Sequence, residues 1–189
     1  MSIVLYLGYD INEYNESSAK KIQKCIENGE IICENCSKPL TRHSTYDRTI
    51  KEKKLTLTIT MVWCKKCKIW HSLQPDFLLP RKHYSGAEVE DVIIESEFIP
   101  VDQINTPASE STRRRWIRNV GDNIRRSVSL LKYLFGRMGQ AVSEIAIKAG
   151  SCYNELQQIL KMAPADIKNS GCRLGLANLW LSERRDAYI

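Results

Sequence analysis

From Leu55 to Trp63 every second residue is large and apolar. Leu55, Leu57, Ile59, Met61 and Trp63 fall on one face of an extended chain, with Thr56, Thr58, Thr60 and Val62 on the other. This alternation predicts a strand over residues 54–63, and an earlier strand over about 39–50 pairs with it as a hairpin. Residues 3–9 predict one short strand. Asn15 is expected to cap a helix that reaches Asn28, with Gly29 as its stop and Ile22, Cys25 and Ile26 on its apolar face. Beyond the hairpin, Leu73, Phe77, Leu78, Leu79 and Pro80 read as an apolar strap into a basic, aromatic joint at Arg81, Lys82, His83 and Tyr84.

From residue 85 the period changes to that of a helix. Ser85 with Glu88 three residues on forms a capping box, and Val89, Val92 and Ile93 make an apolar stripe that carries the helix to about Ser96. A short helix at 100–105 and a break at Pro107 follow, and Ser109 or Ser111 then caps the next helix. Gly121 and Asp122 are expected to end that helix and cap another at 123–137, with Ile124, Val128, Leu131 and Phe135 on its buried side. Further amphipathic helices are expected near 140–149, 152–162 and 173–185, and Trp180 reads as core. The fold class predicted is α+β, a small β ribbon followed by a mostly helical region containing a helix-turn-helix. The segments are a strand–helix lead-in (1–30), the ribbon (31–84), the helix-turn-helix (85–120) and a C-terminal helical bundle (121–189).

Four of the seven cysteines change the picture from fold to chemistry. Cys33 with Cys36 and Cys64 with Cys67 are two Cys-x-x-Cys pairs flanking the predicted hairpin. Two residues between thiolates let a tight turn aim both sulfurs at one ion, and two such turns complete a tetrahedral sulfur shell. One structural Zn2+ held by Cys33, Cys36, Cys64 and Cys67 is the expected cofactor, and it would stabilise a core too small to stand alone. Iron suits the same donor set. Disulfides fit poorly with a chain read as cytoplasmic, and a dithiol redox site calls for a pair opening a helix. His71, four residues past Cys67, is a weaker ligand candidate. Cys25, Cys152 and Cys172 lack a paired spacing and read as small buried hydrophobes.

The net charge of +6 over 189 residues matters through its distribution: +7 at 33–84, −7 at 85–112 and +8 at 113–189. Two basic blocks flanking an acidic one favour a polyanionic partner. Within the acidic block, Glu88, Glu90, Asp91, Glu95 and Glu97 scatter round a helix and read as a solvated face. In the block that follows, small polar residues and arginines open a helix after a turn, the order in which a recognition helix meets the major groove. Ser111, Thr112, Arg113, Arg114, Arg115 and Arg118 are the candidate base contacts. Lys51, Lys53, Lys54, Lys65, Lys66, Lys68 and Arg125 are the candidate phosphate contacts. No apolar run reaches the roughly 18 residues needed to cross a bilayer. Residues 1–9 lack the basic start of a signal peptide. The expected location is therefore cytoplasmic and nucleoid-associated.

One resemblance adds to this reading. Cys33-x-x-Cys36, Thr41-Arg-His43, Tyr46-x-Arg48, Trp63-Cys64-x-x-Cys67, His71-Ser-Leu, Phe77-Leu-Leu-Pro80, Tyr84 and the Ser109 to Trp116 segment together resemble the domain of unknown function DUF6431. They are also similar to the N-terminal zinc-ribbon region of transposase-like proteins of Gram-positive bacteria. The resemblance covers about residues 30–120 and implies a zinc-dependent duplex-DNA-binding protein that regulates or accompanies a mobile element. Its expected partners are duplex DNA, a recombinase or transposase, and a second copy of the chain. No catalysis is expected. A triple-carboxylate transposase needs a sheet-based domain that the helical pattern after residue 85 does not provide. Tyr188 near Arg184 and Arg185 lacks the histidine of a tyrosine recombinase. The alternatives are an RNA- or protein-binding zinc-ribbon adaptor and an accessory nuclease or recombinase.

Overall fold

In a computed structural model of the chain, the structure describes residues 2–80, 82–137, 152–162 and 172–183. The sheet has four strands, β1 (Ser2–Leu5), β2 (Thr41–Ile50), β3 (Leu55–Cys64) and β4 (Ile69–Pro75), in the spatial order β1-β4-β3-β2. β2, β3 and β4 are antiparallel neighbours, and β1 pairs with β4 in parallel, Ser2 opposite Ser72. The helices are α1 (Tyr14–Glu27), α2 (Gly86–Glu95), α3 (Glu110–Arg137), α4 (Cys152–Lys161) and α5 (Arg173–Glu183). The α+β class is as expected. β4 is a strand the sequence pattern does not predict, because Trp70, His71, Ser72 and Gln74 break an apolar alternation that only the folded sheet explains, and it takes in Leu73, the first residue of the expected strap. The helix expected at 140–149, Arg81, Pro164, Gly171, Arg184, Arg185 and Tyr188 lie outside the described residues, as do the side chains of Cys152 and Trp180.

The lead-in is part of the sheet rather than a separate segment. β1 forms one edge, and α1 closes the flank of β3 that β4 leaves open. There Asn15 does not cap its helix: its Nδ2 donates to the Thr56 carbonyl at 2.7 Å, and its Oδ1 accepts from the Thr58 N–H at 3.0 Å. The side chain thereby satisfies strand groups that would otherwise be unpaired. Gly29 stops α1 as expected, in the left-handed conformation (φ +71°).

Burial along β3 changes face midway. Leu57 and Ile59 are buried while Thr56 and Thr58 are exposed, yet beyond them Thr60, Val62 and Cys64 are buried while Met61 and Trp63 are half-exposed. The strap covers the hairpin half on the face of Leu57. The Lys51 N–H donates to the His83 carbonyl (2.8 Å) and the Ser85 N–H to Glu52 (2.6 Å). Buried Arg48 clamps the strap by donating to Gln74 (3.1 Å) and to the carbonyls of Leu79 (2.6 Å) and Lys82. The strap also passes from one core to another. Phe77 and Leu78 belong to the sheet core with Tyr14, Ile22, Leu40 and Leu73, whereas Leu79 and Tyr84 belong to a helical core built on Val89, Trp116, Leu131 and Leu156.

In the helical region Ser85 caps α2, its hydroxyl accepting from the Glu88 N–H (3.2 Å). α3 runs unbroken through Gly121 and Asp122, so the segment boundary expected at residue 120 falls inside one helix. The stripe Trp116, Val120, Ile124, Val128, Leu131 and Phe135 keeps helical spacing across the glycine, and its burial outweighs the roughly 1 kcal/mol penalty of glycine in a helix. Glu90 departs from the solvated face expected of it. It is buried, accepts the N–H groups of Arg173 (2.9 Å) and Leu174 (3.2 Å) that open α5, and takes the Tyr153 hydroxyl. It is a helix cap supplied by a different helix, joining α2, α4 and α5. No helix among the described residues is long and apolar enough to cross a membrane.

Replacing Glu90 with alanine strips partners from two backbone N–H groups and a tyrosine hydroxyl at once. Glu90→Ala is expected to lower stability by about 2 to 4 kcal/mol, read from urea unfolding. A loss well below about 1 kcal/mol would show that water replaces the carboxylate.

Candidate metal centre and candidate nucleic-acid interface

Two turns of the same design bring the four cysteines together. In the first, between α1 and β2, the Ser37 N–H donates to the Cys33 carbonyl at 2.8 Å. In the second, between β3 and β4, the Lys68 N–H donates to the Cys64 carbonyl at 2.9 Å. The residue after each second cysteine turns left-handed, Ser37 at φ +53° and Lys68 at φ +54°. That costs strain in a non-glycine residue, and each turn is tied down by its neighbours, the first by the Ile32–Pro39 bridge and the second by β3 and β4.

The ligand atoms of Cys33, Cys36, Cys64 and Cys67 all lie within 4.8 Å of one another, with Cys36 to Cys64 at 3.5 Å and Cys33 to Cys67 at 3.9 Å. A tetrahedral ion with metal–sulfur bonds of about 2.3 Å separates its sulfurs by about 3.8 Å, whereas a disulfide needs about 2 Å. The four residues therefore fit one metal ion. Cys33 and Cys64 are buried, and the other two are partly so. The Cys67 N–H hydrogen bond holds Cys64 down to about 7. Cys67 is pushed up to about 12 by hydrogen bonding to Cys36 and by burial, and burial also raises Cys33. Four neighbouring sulfurs cannot all ionise unless a cation neutralises them, which is what metal binding supplies.

His71 is fully buried with Nε2 3.6 Å from Cys33 Sγ, beside the cluster rather than in it. Of the remaining cysteines, Cys172 lies buried against Glu90, and that burial pushes it up to about 12. Cys25 is partly buried, and burial raises it too. Both suit the unreactive roles expected of them.

The nucleic-acid candidates fall in three separate places. Lys65 and Lys66 occupy the second knuckle, with Lys68 just after it, and all three are exposed; Lys51, Lys53 and Lys54 lie in the β2–β3 turn. The arginines lie on α3. Arg114, Arg115, Arg118 and Arg125 are exposed, and at 100° per residue they fall within roughly 120° of the helix circumference, opposite the buried stripe. Arg114 pairs with Glu110 (2.7 Å) and Arg125 with Asp122 (3.1 Å), exposed pairs that hold little energy. Ser111 is exposed and Thr112 half-buried, with their hydroxyls turned to Ser109 (3.2 and 2.9 Å). Arg113 is buried and donates to the Ile104 carbonyl (2.5 Å), so it braces the approach to α3 rather than facing solvent. The connection from α2 to α3 spans residues 96–109 and includes a 3-10 turn, Val101–Gln103. It is longer than the three- or four-residue turn of a strict helix-turn-helix.

One feature went unread in the sequence. Trp63, Trp70 and His43 form a ring cluster on the open half of the sheet, with centroids 4.1 Å apart for Trp63–Trp70 and 3.9 Å for His43–Trp70. The signal was available in Cys64: a residue that must face the metal forces Trp63 onto the opposite face.

The fold and site define a four-cysteine sheet module, suited to one metal ion, joined to a helical region. Residues 33–116 match the family model described as a domain of unknown function, DUF6431, which makes that segment DUF6431-like. No curated protein and no solved structure matches the chain.

Elemental analysis of purified protein is expected to give about one metal equivalent per chain, and Cys64→Ser to lose it together with the cooperative unfolding of the sheet. Because protons compete for the sulfurs, chelator competition is expected to show weaker binding at about pH 6 than at about pH 8. Metal content that survives Cys64→Ser would remove these sulfurs as the site.

Proposed function

We propose that the chain is a zinc-dependent duplex-DNA-binding protein acting as a regulatory or accessory factor of a mobile element. The observation that carries this reading is the exposed arginine face of α3. Four guanidinium groups share one arc of a helix whose opposite side is anchored in the core, and the two carboxylates among them, Glu110 and Asp122, leave a net positive surface. A rigid helix with arginines toward its N-terminal half suits major-groove entry, where arginine pairs bidentately with guanine. The approach to α3 is held by Arg113 and by the edge-to-face contact of Tyr84 with Trp116 (4.8 Å).

Zinc is the metal in this reading because four thiolates at tetrahedral spacing suit a soft ion of fixed charge, and its role is structural. Lys65, Lys66 and Lys68 hold phosphate through the knuckle, and Arg114, Arg115 and Arg118 address the groove. The mobile-element setting, with a transposase or recombinase as companion, rests on the sequence of residues 33–116 and forms part of the proposal. The reading gives the chain no catalytic step.

Titration of zinc-loaded protein against the duplex flanking its own gene and a scrambled duplex, across a salt series, tests the proposal. Arg114→Ala is expected to weaken the preferred duplex by ~1 to 3 kcal/mol, while Lys66→Ala weakens both duplexes alike and reduces the salt slope by about one. Equal losses on both duplexes for both variants would overturn the division of roles. Absence of binding to either duplex at low salt would overturn the function.

A further inference from the structure

We infer that the open half of the sheet is a second nucleic-acid site, one that takes unpaired nucleotides by stacking. It lies beside the arginine face of α3, shares Arg115 with it, and goes beyond duplex binding. Its floor follows from strand register: Ser44, Met61 and Ser72 lie side by side across β2, β3 and β4, and Trp63 lies opposite Trp70. The register shifts between Arg42 and Ser44, and the extra residue, His43, closes on the Trp70 ring. Tyr46, on the same face as Ser44, is 38% exposed, and Trp70 is 41% exposed. Large aromatic rings left on a sheet surface, with Cys64 fixing which way they turn, form a stacking platform that accepts any base because every base has a flat face.

The surroundings match the rest of a nucleotide. The face opens into a cleft of about 1040 Å³, reached from the other side by Lys82 and His83 of the strap and by Asn119 and Asn123 of α3. Amide side chains suit base edges. Next to it lies a cavity of about 330 Å³ that shares Lys82 and His83 and adds Lys51, Thr112 and Arg115, with no carboxylate among the described residues of its lining. Burial, and after it the charge of Arg115, hold Lys82 below the usual lysine range. The larger cleft contains Glu34 and Asp47, and Asp47 accepts the Thr58 hydroxyl (3.1 Å). These carboxylates disfavour phosphate there and favour uncharged bases. Bases on the ring platform with the backbone running to the Lys82 corner is the one arrangement that satisfies both ends. A duplex has its bases already stacked and gains nothing from the rings.

The experiment uses the full, metal-loaded chain with labelled short dT and rU oligonucleotides, read by fluorescence anisotropy and by quenching of tryptophan emission. Both arms are expected to bind, with the stronger arm identifying single-stranded DNA or RNA as the preferred source. Trp70→Ala is expected to weaken the oligonucleotides about tenfold or more, Trp70→Phe to keep most of the affinity, and neither to alter duplex binding. Arg118→Ala is expected to do the reverse, so failure of the duplex reading and failure of this one are distinguishable. Should Trp70→Ala lose metal, Tyr46→Ala takes its place, with an expected loss of several-fold. No binding of either oligonucleotide, or oligonucleotide affinity unchanged in the metal-loaded variant, would overturn the inference.

Discussion

Four sulfur atoms within 4.8 Å of one another set the conditions for everything around them. As thiolates they repel, as thiols they bond weakly, and only a shared cation makes their proximity favourable. The two knuckles come from opposite ends of the β2–β3 hairpin segment, so bringing them together closes the first knuckle against the start of β4. The Ile32–Pro39 bridge and the start of the β3–β4 pairing both lie at that closure. The left-handed Ser37 and Lys68 are local strain that the closure sustains. A loop-closing metal stabilises most where the unconstrained chain has most freedom to lose, and an ion in this site would join residues about thirty apart.

The second constraint is polar. Two buried side chains, Arg48 and Glu90, each satisfy several backbone groups on distant segments, Arg48 from sheet to strap and Glu90 from α2 to α5. Neither is held mainly by an ion pair. Arg48 spends its donors on carbonyls and an amide, and Glu90 takes two backbone N–H groups while the nearest guanidinium, that of Arg173, stands 3.8 Å away. Such groups add specificity as well as energy, because any other register of strap or helix leaves them unsatisfied.

What was legible in the sequence was whatever local chemistry dictates. The paired cysteines announced their cluster, alternation announced β3, and Ser85 with Glu88 and the left-handed Gly29 marked helix ends as predicted. What was not legible depended on partners far along the chain. β4 carries too many polar residues to look like a strand until β1 and β3 flank it. Asn15 has the form of a cap and is a strand-edge partner instead. Gly121 has the form of a stop, yet a Cβ there would meet nothing within 4 Å and the buried stripe carries the helix through. Trp63 shares the apolar face of Leu57 and Ile59 in the sequence pattern, and alternation gives two faces without saying how far along the strand each is covered. Arg113 is expected at the bases and Glu90 in solvent, yet both are buried: helical spacing alone does not show which neighbour will cover a charged position.

The bulge at His43 has one more consequence, for how the molecule behaves in company. β2 is an edge strand of ten residues, and an edge that long is a template for pairing with the edge of another molecule. His43 breaks the run of evenly spaced backbone groups, Arg42 and Asp47 are exposed charges on the same strand, and the extra residue increases local twist. Deleting His43 would give a flatter edge with regular spacing, and the resulting chain would be prone to add strand to strand into insoluble assemblies. The residue that turns an imidazole onto the tryptophan face also interrupts the regular edge onto which another strand could add.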